Sequence, residues 1–174
     1  MAHKEQFDFI EQVKARFPDM FVGKNVLECG SLNLNGSVRQ FFTDCDYTGI
    51  DIIEGDGVDV VARAHKYCWN NKDTFDVVIS CEMLEHDKYS YRSMLSMYDA
   101  LKVGGLLVIT CAYIGRPEHG TAKRSPADSP ATNDYYANLS EKDFFDAYSG
   151  TQFTQMALEI DNNHKDIFFW GIKI

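Results

Sequence analysis

The sequence has few of the features that mark secreted, metal-binding or membrane proteins. Its cysteines are odd in number and scattered, and they form no CxxC pair and no Cys/His cluster with zinc-like spacing. We therefore expect no metal site, and free thiols in a reduced compartment. No apolar run approaches the length of a membrane span, and the first residues, MAHKE, do not resemble a signal peptide. A cytoplasmic location without a membrane partner is the expectation.

Positive charge is also scarce. The chain has 17 Lys and Arg against 26 Asp and Glu, which gives a formal charge of −9. This balance disfavours a broad phosphate-binding face, and so disfavours duplex nucleic acid as a partner. Hydrophobic residues make up 45% and aromatic residues 13% of the sequence, which argues against disorder. At 174 residues the chain is most simply a single domain over 1–174 that can bury a sizeable core.

One stretch, Asn25 to Asp51, has the pattern of a nucleotide site. An apolar run ends in Glu28, small and polar residues follow from Gly30, residues 37–43 are predicted to be a crossover helix, and a second run ends in Asp51. A doubly wound sheet presents such a site in this order: a strand, a turn of small residues, a helix, a second strand and an acid. Small turn residues let a ligand reach the backbone, and the final acid can accept two hydrogen bonds from a ribose diol.

The remaining apolar patterns predict an α/β fold. We expect a Rossmann-like, doubly wound sheet of seven strands, mostly parallel, with a C-terminal antiparallel hairpin. The predicted strands are 25–29, 47–51, 58–62, 75–80, 106–111, 153–160 and 166–174. Helices are predicted within the N-terminal segment 1–20, at 88–102 with a cap at Gly104-Gly105, and at 140–148 behind Ser140. The N-terminal helix either packs on the sheet or also closes over the ligand.

Residues 112–139 interrupt the alternation of strands and helices. The segment holds three of the four prolines and little apolar periodicity. A loop of this length in a compact domain is usually functional or disordered. We predict that it forms the substrate side of the site, where His119, Lys123, Arg124, Asp134, Tyr135 and Tyr136 are candidates.

Four stretches resemble the class I S-adenosylmethionine (SAM) dependent methyltransferases, in particular small single-domain, type 11-like members. They are VLECGS with NGSVR, TGID, FDVVISCEMLEHD at 75–87 and LKVGGLLVITCA at 101–112. The resemblance implies SAM as cofactor and methyl transfer as the reaction. It covers residues 25–112 well and the rest loosely. Ser31 and Leu32 stand where small residues or glycine are common in the family.

The resemblance also implies a set of cofactor-binding residues at the carboxyl ends of the strands. They are Glu28, Gly30, Ser31, Asp51, Ile52, Ala64, His65, Cys81 and Glu82. Asp51 is expected to hold the ribose hydroxyls. Arg63 stands where the family often has an acid that recognises adenine. Since Arg63 cannot accept a hydrogen bond, backbone groups near Ala64 and His65 are expected to take that role.

Two histidines are candidate catalytic residues. His86 follows the fourth predicted strand and His119 lies in the long loop, and an imidazole titrates near neutrality. The alternative for His86 is a structural role, bracing the loop.

The sequence favours methyl transfer to a small-molecule or sugar-containing acceptor. Neither an (Asn/Asp)-Pro-Pro-aromatic motif nor a Pro-Cys nucleophile follows the fourth strand, which argues against methylation of DNA bases. One alternative is a SAM-binding or nucleotide-binding module without turnover, acting as a partner subunit. Another is a nicotinamide oxidoreductase, which the absence of GxGxxG and the terminal hairpin oppose. The sequence is also compatible with a homodimer.

Overall fold

A mixed sheet forms the centre of the structure, a computed structural model that describes residues 4–132 and 134–174. Within these residues the sheet has seven strands. They are β1 (Asn25–Cys29), β2 (Asp46–Asp51), β3 (Val60–Val61), β4 (Phe75–Cys81), β5 (Leu101–Ala112), β6 (Phe153–Asp161) and β7 (Asp166–Lys173). The helices are α1 (Lys4–Arg16), α2 (Ala64–Asn70), α3 (Ser90–Ala100) and α4 (Glu141–Ala147). Residues 1–3 of the predicted N-terminal segment lie outside the described part.

The strand order is β3-β2-β1-β4-β5-β7-β6. The first five strands pair in parallel, whereas β7 pairs antiparallel with both β5 and β6. The predicted fold class and the terminal hairpin are therefore confirmed. The order reverses between β1 and β4, and their adjacent carboxyl ends form the crevice where ligands bind in open α/β sheets.

Alternate residues of the strands supply two cores, one on each face of the sheet. On one face α1 packs Phe9 against Phe168, with ring centroids 4.9 Å apart. The opposite face carries α2, α3 and α4, and includes the fully buried Tyr148. The Tyr148 hydroxyl donates to the carbonyl of Met94 at 2.7 Å, which joins the end of α4 to α3. Both faces are thus covered, as an almost wholly apolar β4 requires.

Three local predictions were wrong. Residues 37–43 form only one 3-10 turn, Val38–Phe41, in which the Arg39 N–H donates to the Ser37 hydroxyl. The third strand is Val60–Val61 instead of 58–62, because it pairs with β2 over two positions only. Gly104-Gly105 does not cap a helix: α3 ends at Ala100, and the glycines form an irregularity inside β5, where pairing with β4 shifts between Phe75–Leu101 and Val77–Leu106.

The other predicted boundaries differ by a few residues. The helix predicted at 88–102 is Ser90–Ala100, and the strand predicted at 106–111 begins earlier, at Leu101. Ser140 caps α4 through a capping box with Asp143, as expected. Among the described residues, no helix combines the length and the apolarity needed to cross a membrane.

Candidate functional site

A cavity of about 370 Å³ opens at the carboxyl ends of β1, β2 and β4. This volume lies in the range of small-molecule sites. The predicted cofactor residues Glu28, Gly30, Ser31, Asp51, Ile52, Ala64, Cys81 and Glu82 all line it, together with His86. His65 and His119 do not line it.

The turn after β1 needs glycine for two reasons. Gly30 has a φ of +83°, and a Cβ at this position would lie 2.6 Å from the side chain of Met83. The N–H groups of Gly30 and Ser31 both donate to the carbonyl of Ile50, at 2.9 and 3.0 Å. The turn is therefore fastened to the end of β2. The Ser31 hydroxyl is buried at the cavity and has no hydrogen-bond partner among the described residues.

Asp51 ends β2 with its carboxylate at the cavity. Its oxygens accept hydrogen bonds from the N–H of Leu32 at 3.3 Å and of Ile52 at 2.6 Å. Burial raises the pKa of Asp51, while these backbone donors act in the opposite direction. Each carboxylate oxygen retains capacity for a further donor, so Asp51 can still accept hydrogen bonds from a ligand.

Glu28 lies beneath the same turn and is 5% exposed. The Tyr47 hydroxyl donates to its carboxylate at 2.8 Å. Burial raises the pKa of Glu28 to about 7, against the lowering effect of that hydrogen bond. In the structure the carboxyl group therefore has Tyr47 as its partner, and it borders the cavity.

A group of side chains around Tyr89 closes another side of the cavity. The Arg63 guanidinium lies 5.8 Å from the centroid of the Tyr89 ring, within cation–π distance. The His65 ring lies 4.7 Å from the same ring. Arg63 and Tyr89 line the cavity, whereas His65 contacts Tyr89 without lining it. The resemblance had placed His65 among the cofactor-binding residues, and had not included Arg63 or Tyr89.

Glu82, directly after β4, has a left-handed backbone with a φ of +53°. Non-glycine residues rarely adopt this conformation, and those that do cluster at functional sites. Its N–H donates to the carbonyl of Thr110, and its Oε1 accepts from the Thr110 hydroxyl, both at 2.9 Å. The neighbouring Cys81 thiol has a pKa raised by burial, so it is not an activated nucleophile.

Three aromatic rings meet where the long loop packs on the segment after β4. The centroids of His86 and His119 are 5.1 Å apart, and Tyr136 lies 5.4 Å from His86 and 4.9 Å from His119. Burial lowers the pKa of His86 to about 4 and also lowers that of His119. Both imidazoles are therefore neutral at pH 7, and His86 is a weaker general base than its residue type suggested.

The long loop folds over the carboxyl edge of the sheet, as predicted from its position. The N–H of Ala137 donates to the carbonyl of Glu85 at 2.8 Å. Asp134 forms an ion pair with Lys88, and both line the cavity along with residues 128–132. Lys123 and Arg124, which the sequence also offered as substrate contacts, are exposed and do not line the cavity.

Gly120 provides a test of this packing. Its φ is +63°, and a Cβ there would lie 2.6 Å from His86 Cε1. Gly23 has a φ of +64° but no heavy atom within 4 Å of such a Cβ. We expect Gly23→Ala to cost only the left-handed strain of about 1–2 kcal/mol. Gly120→Ala should cost about 1–3 kcal/mol more from overpacking. Urea unfolding measures both, and equal losses would mean that the loop does not press on His86.

Several cavity residues were missed from the sequence. Gln6 is 2% exposed and reaches the cavity from α1. Its signal was present, because it lies on the same helical face as the buried Ile10 and Val13. The N-terminal helix thus both packs on the sheet and contributes to the cavity. Met83, Lys88 and Tyr89 gave no comparable signal.

Comparisons with known proteins agree with this geometry. The model of a family described as a methyltransferase domain matches residues 1–160. A comparison with curated proteins finds no match. The fold resembles phosphoethanolamine N-methyltransferase 2 of Haemonchus contortus, solved with phosphomonomethylethanolamine and S-adenosylhomocysteine, with a TM-score of 0.61 at 20% identity over 95% of this chain and 52% of that one. The chain therefore spans about half the length of that enzyme.

Two further solved structures share the fold. The 1,6-didemethyltoxoflavin-N1-methyltransferase of Burkholderia thailandensis, with bound 1,6-didemethyltoxoflavin and S-adenosylhomocysteine, has a TM-score of 0.64 at 13% identity, over 95% of this chain and 76% of that one. A SAM-dependent methyltransferase of Archaeoglobus fulgidus has a TM-score of 0.63 at 13% identity, over 95% and 94% of the two chains. At these identities the likeness concerns the fold.

Proposed function

Because the chain belongs to the methyltransferase-domain family and has the class I SAM-dependent fold, we propose that it methylates a small-molecule or sugar-containing acceptor. The observation that carries the proposal is the cavity at the switch point between β1 and β4. It brings together the Gly30 turn, the Asp51 carboxylate and the long loop.

The residues of the cavity fit SAM. The buried Ser31 hydroxyl lacks a partner among the described residues, and Asp51 offers acceptor oxygens at the tip of β2. Asp51 holds the ribose hydroxyls, and the Gly30 turn, fixed by the Ile50 carbonyl, takes the methionine end. When bound, SAM supplies a methyl group already activated by its sulfonium sulfur.

The adenine side is formed by Ala64 and its neighbours. Arg63 cannot accept the hydrogen bond of an adenine amino group, and its guanidinium is turned toward Tyr89. Backbone groups at the start of α2 and the apolar side chains of Ile52 and Ile53 therefore receive the base. The task of the protein is to position both reactants and to exclude water.

The acceptor is proposed to be small. The long loop covers part of the cavity beside Glu82 and His86, and no broad basic surface is expected from a charge of −9. Two of the solved structures that share the fold contain a small molecule beside S-adenosylhomocysteine, phosphomonomethylethanolamine in one and 1,6-didemethyltoxoflavin in the other. These compounds belong to those proteins, and only their size class supports the proposal here.

One observation favours the alternative of a SAM-binding subunit without turnover. The helix expected after β1 is reduced to the 3-10 turn Val38–Phe41. A shorter element gives that side of the cofactor less support. An assay for methyl transfer distinguishes the two, because a binding subunit of this kind forms no methylated product.

The test has two stages. We expect calorimetry to show one SAM or S-adenosylhomocysteine bound per chain and no binding of NAD. Methyl-labelled SAM is then offered with a panel of amines, phenols, hydroxy acids and nucleosides, and labelled product is expected with one class. Binding of NAD instead of SAM would contradict the proposal. SAM binding without any labelled product would favour the binding subunit.

A further inference from the structure

A cluster of metal-ligating side chains lies next to the cofactor cavity. Glu85, His86 and His119 each offer one ligand atom, and the three atoms all lie within 4.8 Å of one another. His86 also lines the cavity, so the cluster adjoins the place where the acceptor is proposed to bind. The 3-10 turn Leu84–His86 supplies two of the residues and the long loop supplies the third.

These groups are buried without the partners that buried polar groups normally have. Glu85 is 0% and His86 6% exposed. Among the described residues, neither carboxylate oxygen of Glu85 and neither ring nitrogen of His86 has a hydrogen-bond partner, and the same holds for Nε2 of His119. An apolar side chain would fill the same space as Glu85 without the desolvation free energy of a buried carboxyl group, so packing alone does not account for this residue. A ligand that all three residues share accounts for the arrangement.

The chemistry of the donors indicates the ligand. Two imidazoles and one carboxylate suit a first-row transition ion such as Zn²⁺ better than Mg²⁺ or Ca²⁺, which prefer oxygen donors. Three protein ligands leave at least one coordination position open, as in catalytic zinc sites. The carboxylate of Glu82 lies close enough to act electrostatically on Glu85 and on both histidines, and its negative charge favours a cation.

The protonation states are compatible with metal binding. The imidazoles of His86 and His119 have pKa values lowered by burial, so their lone pairs are available at pH 7. Burial raises the pKa of Glu85, with the nearby Glu82 adding to the effect, and a cation would reverse it. Metal–ligand bonds of about 2.0–2.2 Å require the donor atoms to approach by roughly 1 Å, a shift within reach of small side-chain rotations.

We propose that Glu85, His86 and His119 bind one divalent transition-metal ion beside the cofactor cavity. This inference depends on the cluster and not on the proposed methyl transfer. Tyr136, whose hydroxyl also lacks a partner among the described residues, borders the site.

Zn²⁺ and Co²⁺ are the probes. The chain is stripped with a chelator, Zn²⁺ affinity is measured by competition with a chromophoric chelator, and Co²⁺ is followed by its visible absorption. We expect one equivalent per chain. Glu85→Gln and His119→Ala should each lower Zn²⁺ affinity by about tenfold or more and abolish the Co²⁺ spectrum. His164→Ala is the control, because His164 is half-exposed on the β6–β7 turn and pairs with Asp161.

Absence of stoichiometric Zn²⁺, or equal Zn²⁺ affinity in all four proteins, would overturn the site. His119→Ala decides if Glu85→Gln does not fold, since His119 lies in the loop and not on the sheet. S-adenosylhomocysteine binding is measured on the same samples. Its failure would sink the proposed methyl transfer and leave the metal result standing, whereas loss of metal with unchanged S-adenosylhomocysteine binding supports a separate site.

Discussion

Replacing Asp51 by alanine is expected to weaken SAM binding by about 1–3 kcal/mol, roughly 5- to 150-fold in Kd. The carboxylate lies at the end of β2 and borders the cavity. It is the acid with which the predicted nucleotide-site pattern, Asn25 to Asp51, ends. Hydrogen bonds to a charged acceptor are stronger than neutral ones, so their loss falls in this range. Calorimetry with SAM and S-adenosylhomocysteine gives the affinity directly.

The controls separate lost ligand contacts from a disturbed turn. Asp51 also accepts the N–H of Leu32 and of Ile52, and alanine removes both hydrogen bonds. Asp51→Asn keeps one oxygen for these donors and should lie between wild type and alanine. Asp46→Ala removes an exposed carboxylate from the opposite end of the same strand and should leave affinity unchanged. An affinity equal to wild type in Asp51→Ala, with an intact melting transition, would place the ribose elsewhere.

The overall architecture could be predicted because its signals are local and repeated. Apolar runs at 25–29, 75–80 and 106–111 have the length of buried parallel strands, and the terminal hairpin is marked by its turn. The strand tips then follow from topology, which is why Glu28, Gly30 and Asp51 meet at one cavity as expected.

The crossover between β1 and β2 shows where local signals misled. Val38, Arg39 and Phe41 fit a helical pattern, but only one turn forms there. The Arg39 side chain instead donates to the Tyr47 carbonyl at 2.9 Å and pairs with Asp59. Side-chain contacts with β2 and the segment after it therefore hold this short crossover in place. Such contacts depend on residues distant in sequence and leave no period to detect.

The metal-type cluster could not be found by spacing. Glu85 and His86 are adjacent, while His119 comes from the long loop, 33 positions further along the chain. The loop position is set by long-range contacts such as the Ala137 N–H bond to Glu85, which no periodicity encodes. A sequence with no zinc-like pattern was therefore expected to bind no metal, whereas the folded chain brings two imidazoles and one carboxylate together.

The second large effect is expected from the long loop, where the structure shows how to remove it. The Asn138 side chain donates to the carbonyl of Arg116 at 2.9 Å, so these two residues are neighbours in space. Arg116 also pairs with the buried Asp166, and Ala137 is bonded to Glu85. Replacing only residues 117–136 by a short glycine-serine link therefore preserves the anchors at both ends.

This variant is expected to keep SAM affinity within a few-fold and to lose methyl transfer. Residues 117–136 contain His119, the segment 128–132 that lines the cavity, and Asp134, which pairs with Lys88. Without them the reacting groups are open to water and the acceptor lacks one wall. The cofactor contacts proposed at Gly30 and Asp51 lie at the carboxyl ends of β1 and β2, outside the replaced segment, and stay in place. Transfer is measured with methyl-labelled SAM and any acceptor that the wild-type chain methylates.

Alanine at both Lys123 and Arg124 is the matched control, since these residues belong to the same loop but are exposed and away from the cavity. The double variant should transfer methyl groups at the wild-type rate. Loss of transfer in the control as well would point to a general disturbance of the loop. Retained transfer in the 117–136 replacement would show that the acceptor binds elsewhere. Hydrogen exchange gives an independent test: protection of 112–139 should increase with S-adenosylhomocysteine and acceptor, because a wall that closes on its ligands exchanges more slowly.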